Sequence, residues 1–342
     1  MILAEFGAEV TKVEPPQGDA TRSWGPPFWE GISPTYLALN RNKSKLTVDA
    51  KTPEGKKRLT DLARRADVFL TSSRPGAMAK LGLNYESLLK VNTHIIYGEI
   101  TPFGDSGPRS SQPGYDPIIE ALTGIMSVTG HQGSPPVRAG VSIVDLTAGL
   151  WLAFGVQVAL RMRETTDSGH HVRVSLYEVG IALNAINIGS YWASGVSPRP
   201  WGSGVAMVAP YEAFPTKDGW LMIAAGNDEL FKRLSWALGH HEWIEDARFR
   251  TNDARVQNRV LLTKFISEIT SKRECAELER LLGELGVPVG RVQDIASALG
   301  DPQLSYSDIV QKASHPAIHD FKSIGLPLTI DGMRPPLRRP PP

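Results

Sequence analysis

With 342 residues the chain is too long for one small core and suits about two domains, one large and one smaller. Lys and Arg number 37 against 36 for Asp and Glu, a formal charge of +1, so no bulk field favours nucleic acid or an anionic membrane and any anion must be held locally. Cys275 is the single cysteine, which excludes an intrachain disulfide and a thiolate metal cluster and suits a reducing compartment.

Residues 1–6 followed by Gly7 read as the last turns of a helix with its C-terminal glycine, and residues 8–13 then alternate as a strand. The N-terminus has neither the basic flank of a secretory signal nor the Arg-rich make-up of a transit peptide. A second unit follows: strand 45–48, a helix over 52–66 opened by Thr-Pro-Glu, and strand 67–70. Residues 85–91 lead into strand 94–100 in the same way. Strands alternating with helices at this spacing predict an α/β fold, with βαβ units, a mainly parallel sheet and helices on both faces.

A helix begins within 114–124, and residues 137–160 give a short extended piece followed by a long helix. Its apolar run over 146–160 is shorter than the ~18 residues of a membrane span and reads as a buried core helix. Residues 171–176 alternate as a strand. Around 193–210 the composition shifts to Gly, Ser, Pro and Trp, as in an exposed linker between domains. Beyond it, strand 219–225 and helices 228–238, 255–271 and 273–285 predict a smaller α+β domain. The proline-rich tail cannot be helical.

No phosphate-binding Gly-Lys-Ser/Thr loop, Gly-x-Gly-x-x-Gly, Gly-x-Ser-x-Gly elbow or His-Glu-x-x-His is present. The pairs His170-His171 and His240-His241 cannot converge from one helical face, so no metal is expected. Asp145 lies where the extended piece meets the long helix and reads as an N-cap. That seat also suits a nucleophile, because the helix dipole and free amides favour the ionised carboxylate. Gly226-Asn227-Asp228 reads as a strand-to-helix turn capped by Asp228, or as a small loop whose amides approach a reacting group. Lys51, Arg74 and Lys80 fall near predicted strand ends, where open α/β sheets bind ligands.

Taken together, several stretches resemble the class III coenzyme A transferases over nearly the whole chain. They are Gly-Ala-Glu-Val-Thr-Lys-Val-Glu (7–14), Gly-Asp-Ala-Thr-Arg-Ser-Trp-Gly-Pro-Pro-Phe (18–28), Asn-Arg-Asn-Lys-Ser (40–44) and Asp-Ala-Lys-Thr-Pro-Glu-Gly (49–55). Arg-Pro-Gly (74–76), Gly-Tyr-Asp (114–116), Gly-Val-Ser-Ile-Val-Asp (140–145), Gly-Asn-Asp (226–228) and Gly-Val-Pro-Val-Gly (286–290) continue the series.

The resemblance implies a Rossmann-like large domain over 1–195, a small α+β domain over 205–300 and a segment 301–342 returning to the large domain, in an interlocked homodimer. It places Asp145 on the family's catalytic aspartate, Tyr115 and Asp116 beside it, and Gly226 and Asn227 in a loop that covers it. Lys51, Ser72, Ser73, Arg74 and Lys80 fall on segments that contact coenzyme A. The implied reaction moves CoA from an acyl-CoA to a small carboxylic acid through aspartyl anhydride and aspartyl-CoA thioester intermediates, with no permanent cofactor, metal, nucleic acid or membrane.

Residues 201–203 and 208–214 look like the branch that handles dicarboxylates, with succinyl-CoA as a candidate donor. Related racemases carry His where Tyr115 stands, and Tyr, with a reference pKa near ~10, is a poor α-proton base. The alternatives are an acyl-CoA racemase or epimerase and a catalytically silent dimeric module, the latter because the family usually has a further strand ahead of Met1. Thr71-Ser72-Ser73 replaces the usual Glu-Asn-Phe, and Thr166-Asp167-Ser168-Gly169 a Thr-Gly-x-Gly turn. A cytoplasmic location is expected, or a mitochondrial one if a segment precedes this chain.

Overall fold

The computed structural model describes residues 1–342. Its contacts divide the chain into two units, Met1–Thr123 with Gly140–Ala185 and Asp301–Pro342, and Gly124–Ala139 with Ile186–Gly300. In chain order the first elements are α1 (Ile2–Glu5), β1 (Val10–Glu14), α2 (Pro34–Leu39), β2 (Lys43–Thr47), α3 (Pro53–Ala63), β3 (Val68–Thr71), α4 (Ala77–Leu81), α5 (Tyr85–Leu89) and β4 (Ile96–Thr101). Next come α6 (Asp116–Leu122), α7 (Ile125–Val128), α8 (Ile143–Thr166), β5 (His170–Ser175), α9 (Leu176–Leu183) and α10 (Ala185–Ser194). Of these, α7 and nearly all of α10 belong to the second unit, which adds β6 (Tyr211–Thr216), β7 (Gly219–Ala224), α11 (Asp228–Ala237), α12 (Asn252–Gln257), α13 (Arg259–Thr270), α14 (Cys275–Glu284) and β8 (Val289–Arg291).

The first unit is α/β with parallel strands. β1 pairs with β2, and β4 lies between β3 and β5, these three pairings being parallel, while the short strands 310–312 and 322–324 pair antiparallel. Each parallel strand needs a crossover, and α3 supplies one. Thr52 caps it by accepting the Gly55 N–H at 3.0 Å, Pro53 sits in its first turn, and Gly55, Leu59 and Ala63 fall every fourth residue on its buried face. Gly55 is required there, because a Cβ would lie 1.9 Å from the Asp49 carbonyl oxygen.

Successive residues of β4 point to opposite faces, and both faces are covered. Tyr97 packs with Leu59, Leu83, Leu88 and Ile95 on the α3 side. Ile96 packs with Leu152, Val156 and Ala159 of α8 on the other. Each such aliphatic side chain contributes on the order of 1.5–3 kcal/mol by leaving water.

α8 departs from the expected buried core helix. It runs for 24 residues, and an 18-residue stretch of it has a mean hydropathy of 1.7, which meets the length and composition of a membrane span. One stripe packs on the sheet, while Leu146, Leu150, Trp151 and Phe154 are more than half exposed. The apolar run therefore serves two faces, of which the fold of one chain covers one.

The segment after Gly300 docks on the first unit. Glu5 is buried, pairs with Arg41 and accepts the Leu326 N–H through Oε2 at 3.2 Å. Asn42 Oδ1 accepts the N–H groups of Arg338 and Arg339, each at 2.8 Å, and Arg22 donates to the Pro342 carbonyl at 3.0 Å.

In the second unit β7 lies between β6 and β8, all antiparallel. Phe214, Leu221 and Ile223 meet Phe231, Leu234, Leu262, Ile266, Leu278 and Leu282 in its core. Strand β6, which follows the Gly, Ser and Pro-rich stretch directly, was not anticipated, nor was β8 farther along; the stretch itself is exposed over 193–197 and buried at its end, at Ala209 and Pro210. The helix expected over 255–271 is two helices, because Asn258 leaves the helical region at φ −104°, ψ 22°.

Candidate functional site

Asp145 is not the N-cap. The helix begins two residues earlier, Ser142 makes no side-chain cap, and Asp145 occupies the first turn. The capping is done from another element: Asp116, first residue of α6 and almost fully buried, accepts the N–H groups of Val144 and Asp145 through Oδ2, at 2.9 and 3.1 Å. An imported carboxylate thus satisfies two of the free amides that every helix N-terminus leaves. Asp116 Oδ1 is buried and makes no hydrogen bond.

The expectation that the helix end favours ionised Asp145 is reversed. Burial raises the Asp145 pKa first, and the neighbouring Asp116 carboxylate raises it further. The free amides are already occupied by Asp116, so their field is spent on the wrong oxygen. A carboxylate of raised pKa is a more basic nucleophile once ionised, and Asp145 opens to solvent on one side. Tyr115, one residue before α6, is 67% exposed. It flanks the aspartate pair by sequence, with its hydroxyl in no hydrogen bond.

The residues assigned to CoA lie beyond the C-terminal ends of parallel strands in the same unit. Lys51 follows β2, Ser72, Ser73 and Arg74 follow β3, and Lys80 closes the short α4. Lys51, Ser72, Arg74 and Lys80 are exposed, while Ser73 is half-buried against Thr71, whose hydroxyl donates to Ser73 Oγ at 3.0 Å and accepts the Ser73 N–H. No hydrogen bond or ion pair ties them to Asp145. The clefts that run along Lys45 and Arg58 and along Lys12 and Arg22 contain none of these residues.

In the second unit, Asn227 rather than Asp228 caps the helix: its Oδ1 accepts the Leu230 N–H at 2.8 Å. Asp228 instead pairs with Arg255 at 2.7 Å. Gly226, Asn227 and Asp228 are all exposed. Three further residues escaped the motif search. Asn252, Arg255 and Arg259 hold backbone carbonyls of the segment before β6. Their signal was phase, since Arg255 and Arg259 recur in step with Leu262 and Ile266, so the buried stripe of the predicted helix carries two cations.

No three or more His, Cys, Asp or Glu side chains converge in a way that could hold a metal ion. His171 stands 3.2 Å from Glu99 on the sheet, and burial lowers its pKa. His240 pairs with Glu242 at 2.6 Å on the surface of the second unit.

Comparison with known proteins bears on the whole chain. Residues 1–342 match the family model for CoA-transferase family III. The succinyl-CoA:glutarate CoA-transferase of Mus musculus is 37% identical over 324 residues, covering 93% of this chain and 73% of its own length. The succinate–glutarate CoA-transferase of Agrobacterium fabrum is 38% identical over 310 residues, covering 89% and 78%. A CAIB/BAIF family protein from Brucella suis, known by crystal structure, superposes with a TM-score of 0.87 at 36% identity, covering 99% of this chain and 90% of its own. The fold, the parallel strands and the sequence likeness agree along the full length, and the chain belongs to CoA-transferase family III.

Proposed function

We propose that this chain transfers coenzyme A from succinyl-CoA to a small dicarboxylic acid such as glutarate, with Asp145 as the covalent carrier. The relatives named above carry that reaction in their names, which supports the substrate class. The observation that carries the mechanism is the carboxylate pair: Asp145 of raised pKa beside the buried, amide-bound Asp116.

The Asp145 carboxylate attacks the thioester carbonyl, and the C–S bond breaks to give an acyl-aspartyl anhydride and CoA thiolate. The thiolate attacks the aspartyl carbonyl, releasing the donor acid as its carboxylate and leaving an aspartyl-CoA thioester. The acceptor carboxylate attacks that thioester, forming a new anhydride and freeing the thiolate. Attack of the thiolate on the acceptor's carbonyl then yields the new acyl-CoA and regenerates Asp145. One thioester replaces another, and the electron pairs balance with no net proton.

In this reading Lys51, Ser72, Ser73, Arg74 and Lys80 contact CoA, and Lys51, Arg74 and Lys80 supply its phosphates with exposed cations. Gly226 and Asn227 form the small loop whose amides approach the reacting acyl group. The chain acts as a homodimer, whose second copy covers the exposed apolar stripe of α8, where Leu146, Leu150, Trp151 and Phe154 stand together in solvent.

Incubation with succinyl-CoA, trapping with hydroxylamine and mass spectrometry of the peptide bearing residue 145 tests the carrier. A hydroxamate at Asp145 in the native chain, and loss of exchange in Asp145→Ala, is the expected result. Exchange by the alanine variant at the native rate would end the proposal.

A further inference from the structure

The Arg255 guanidinium is wholly buried, and it points in three directions. Nε donates to the Ala209 carbonyl at 2.7 Å, Nη1 to the Phe249 carbonyl at 2.8 Å and Nη2 to Asp228 Oδ1 at 2.7 Å, while its centre lies 4.4 Å from the Phe231 ring. A charge taken fully out of water requires an opposite charge, and Asp228 is the carboxylate that supplies it. Asp228 is itself 54% exposed, so the pair joins the interior of the second unit to the surface loop at Gly226.

The same helical seam grips the segment before β6. Asn252 Nδ2 donates to the Met207 carbonyl at 2.9 Å, and its Oδ1 accepts the Ala209 N–H at 3.3 Å. Arg259 Nη2 donates to the carbonyls of Ala206 and Val208, at 3.0 and 2.7 Å. Four successive carbonyls, 206 to 209, are therefore held by three side chains, and the Ala225 N–H closes the frame on Pro210 at 3.1 Å.

We propose that Arg255 is a positioning residue for CoA transfer: through Asp228 and the Ala209 carbonyl it locks the loop 226–228 and the segment 206–210 into one rigid frame. The inference rests on the reading of the loop as one that approaches the reacting acyl group. Apart from the Asn227 cap, the Asp228–Arg255 pair is the side-chain tie that fixes where the loop stands. Freed of that pair, the loop admits water, which attacks the anhydride, releases the acid and returns Asp145 as a carboxylate.

The experiment compares Asp228→Ala, Asp228→Asn and Arg255→Lys with the native chain. It measures transfer, thioester hydrolysis without acceptor, KM for succinyl-CoA and Tm. In Asp228→Ala we expect transfer to fall on the order of ten- to a hundredfold, the misplacement cost of a positioning group. Hydrolysis relative to transfer rises, and KM for succinyl-CoA holds within about twofold because binding is untouched. Asp228→Asn lies between, since its amide oxygen still accepts one hydrogen bond, and Arg255→Lys follows Asp228→Ala even where it folds with a normal Tm. Native transfer and native hydrolysis in a folded Asp228→Ala chain would overturn the inference alone. Absence of any exchange by the native chain would overturn the function with it.

Discussion

Asp116 Oδ2 accepts the backbone N–H of Asp145 at 3.1 Å, so one carboxylate fixes the helix turn that carries the other. The arrangement orders the backbone of Asp145 while setting a negative charge beside its side chain. Geometry and basicity thus come from one neighbour. Removing Asp116 separates the two effects according to the replacement chosen.

Asp116→Ala leaves the Val144 and Asp145 amides without their acceptor. We expect a stability loss of about 1–2 kcal/mol, the usual cost of a lost cap, with a fall in transfer of at least about tenfold. Urea unfolding and steady-state assays read the two.

The pH profile carries the electrostatic half. Burial and then Asp116 raise the Asp145 pKa, so the acid limb of kcat/KM lies above the ordinary aspartate value of 3.8. Asp116→Asn removes one of those causes and moves the limb to lower pH. A limb that stays where it was would show that Asp116 acts through the backbone alone.

A raised native pKa means that the folded chain favours protonated Asp145, so ionisation above that pKa costs stability. Asp145→Asn removes this cost at neutral pH and raises Tm there by about 2 °C, with no gain at pH 3, where the native carboxyl is already protonated. Differential scanning calorimetry at both pH values checks the sign. The variant is sturdier and inactive.

Glu14 gives the opposite dependence. Burial works to raise its pKa, but hydrogen bonds from Arg22, Lys12 and Tyr36 prevail and bring it down to about 2. Its contribution is full above the unfolded value of 4.5 and fades as pH falls through about 2. Glu14→Gln therefore destabilises by about 2–3 kcal/mol at pH 7, and the difference from the native chain closes between pH 4.5 and 2.

The exposed stripe of α8 makes a prediction about assembly. Leu150→Glu with Phe154→Glu places two charges on a surface assigned to the second copy. Sedimentation velocity should show the dimer weakened by at least about a hundredfold. An unchanged native mass would move the dimer contact elsewhere.

The βα order was legible because it is a matter of short-range pattern. The Thr52 cap, the Pro53 start and the apolar spacing of α3 all lie within a few residues of one another. Asp145 was legible as a candidate through its place after Gly-Val-Ser-Ile-Val. Its true position in the helix was not, because the residue that caps that helix is 29 positions away. For the same reason the sequence suggested a carboxylate kept acidic by free amides, whereas the fold had already given those amides to Asp116. Asn227 and Asp228 exchanged roles because the partner of Asp228 is a buried arginine 27 residues on. Strand β6 was hidden behind the turn formers that precede it and by its own Pro215, since its pairing with β7 decides its state more than its composition does.

The bond between the Leu326 amide and Glu5 spans 321 positions, and it lies in the same body as β1 and α8. During translation the second unit, apart from residues 124–139, can pack from contiguous chain, whereas the docking of residues 326 to 339 on the first unit waits until they have left the ribosome. The body that carries Asp145 is thus finished last. A nascent chain released before that segment would leave Glu5 and Asn42 without these backbone partners, so the ordering of that part of the first unit waits on a stretch made some three hundred residues after it.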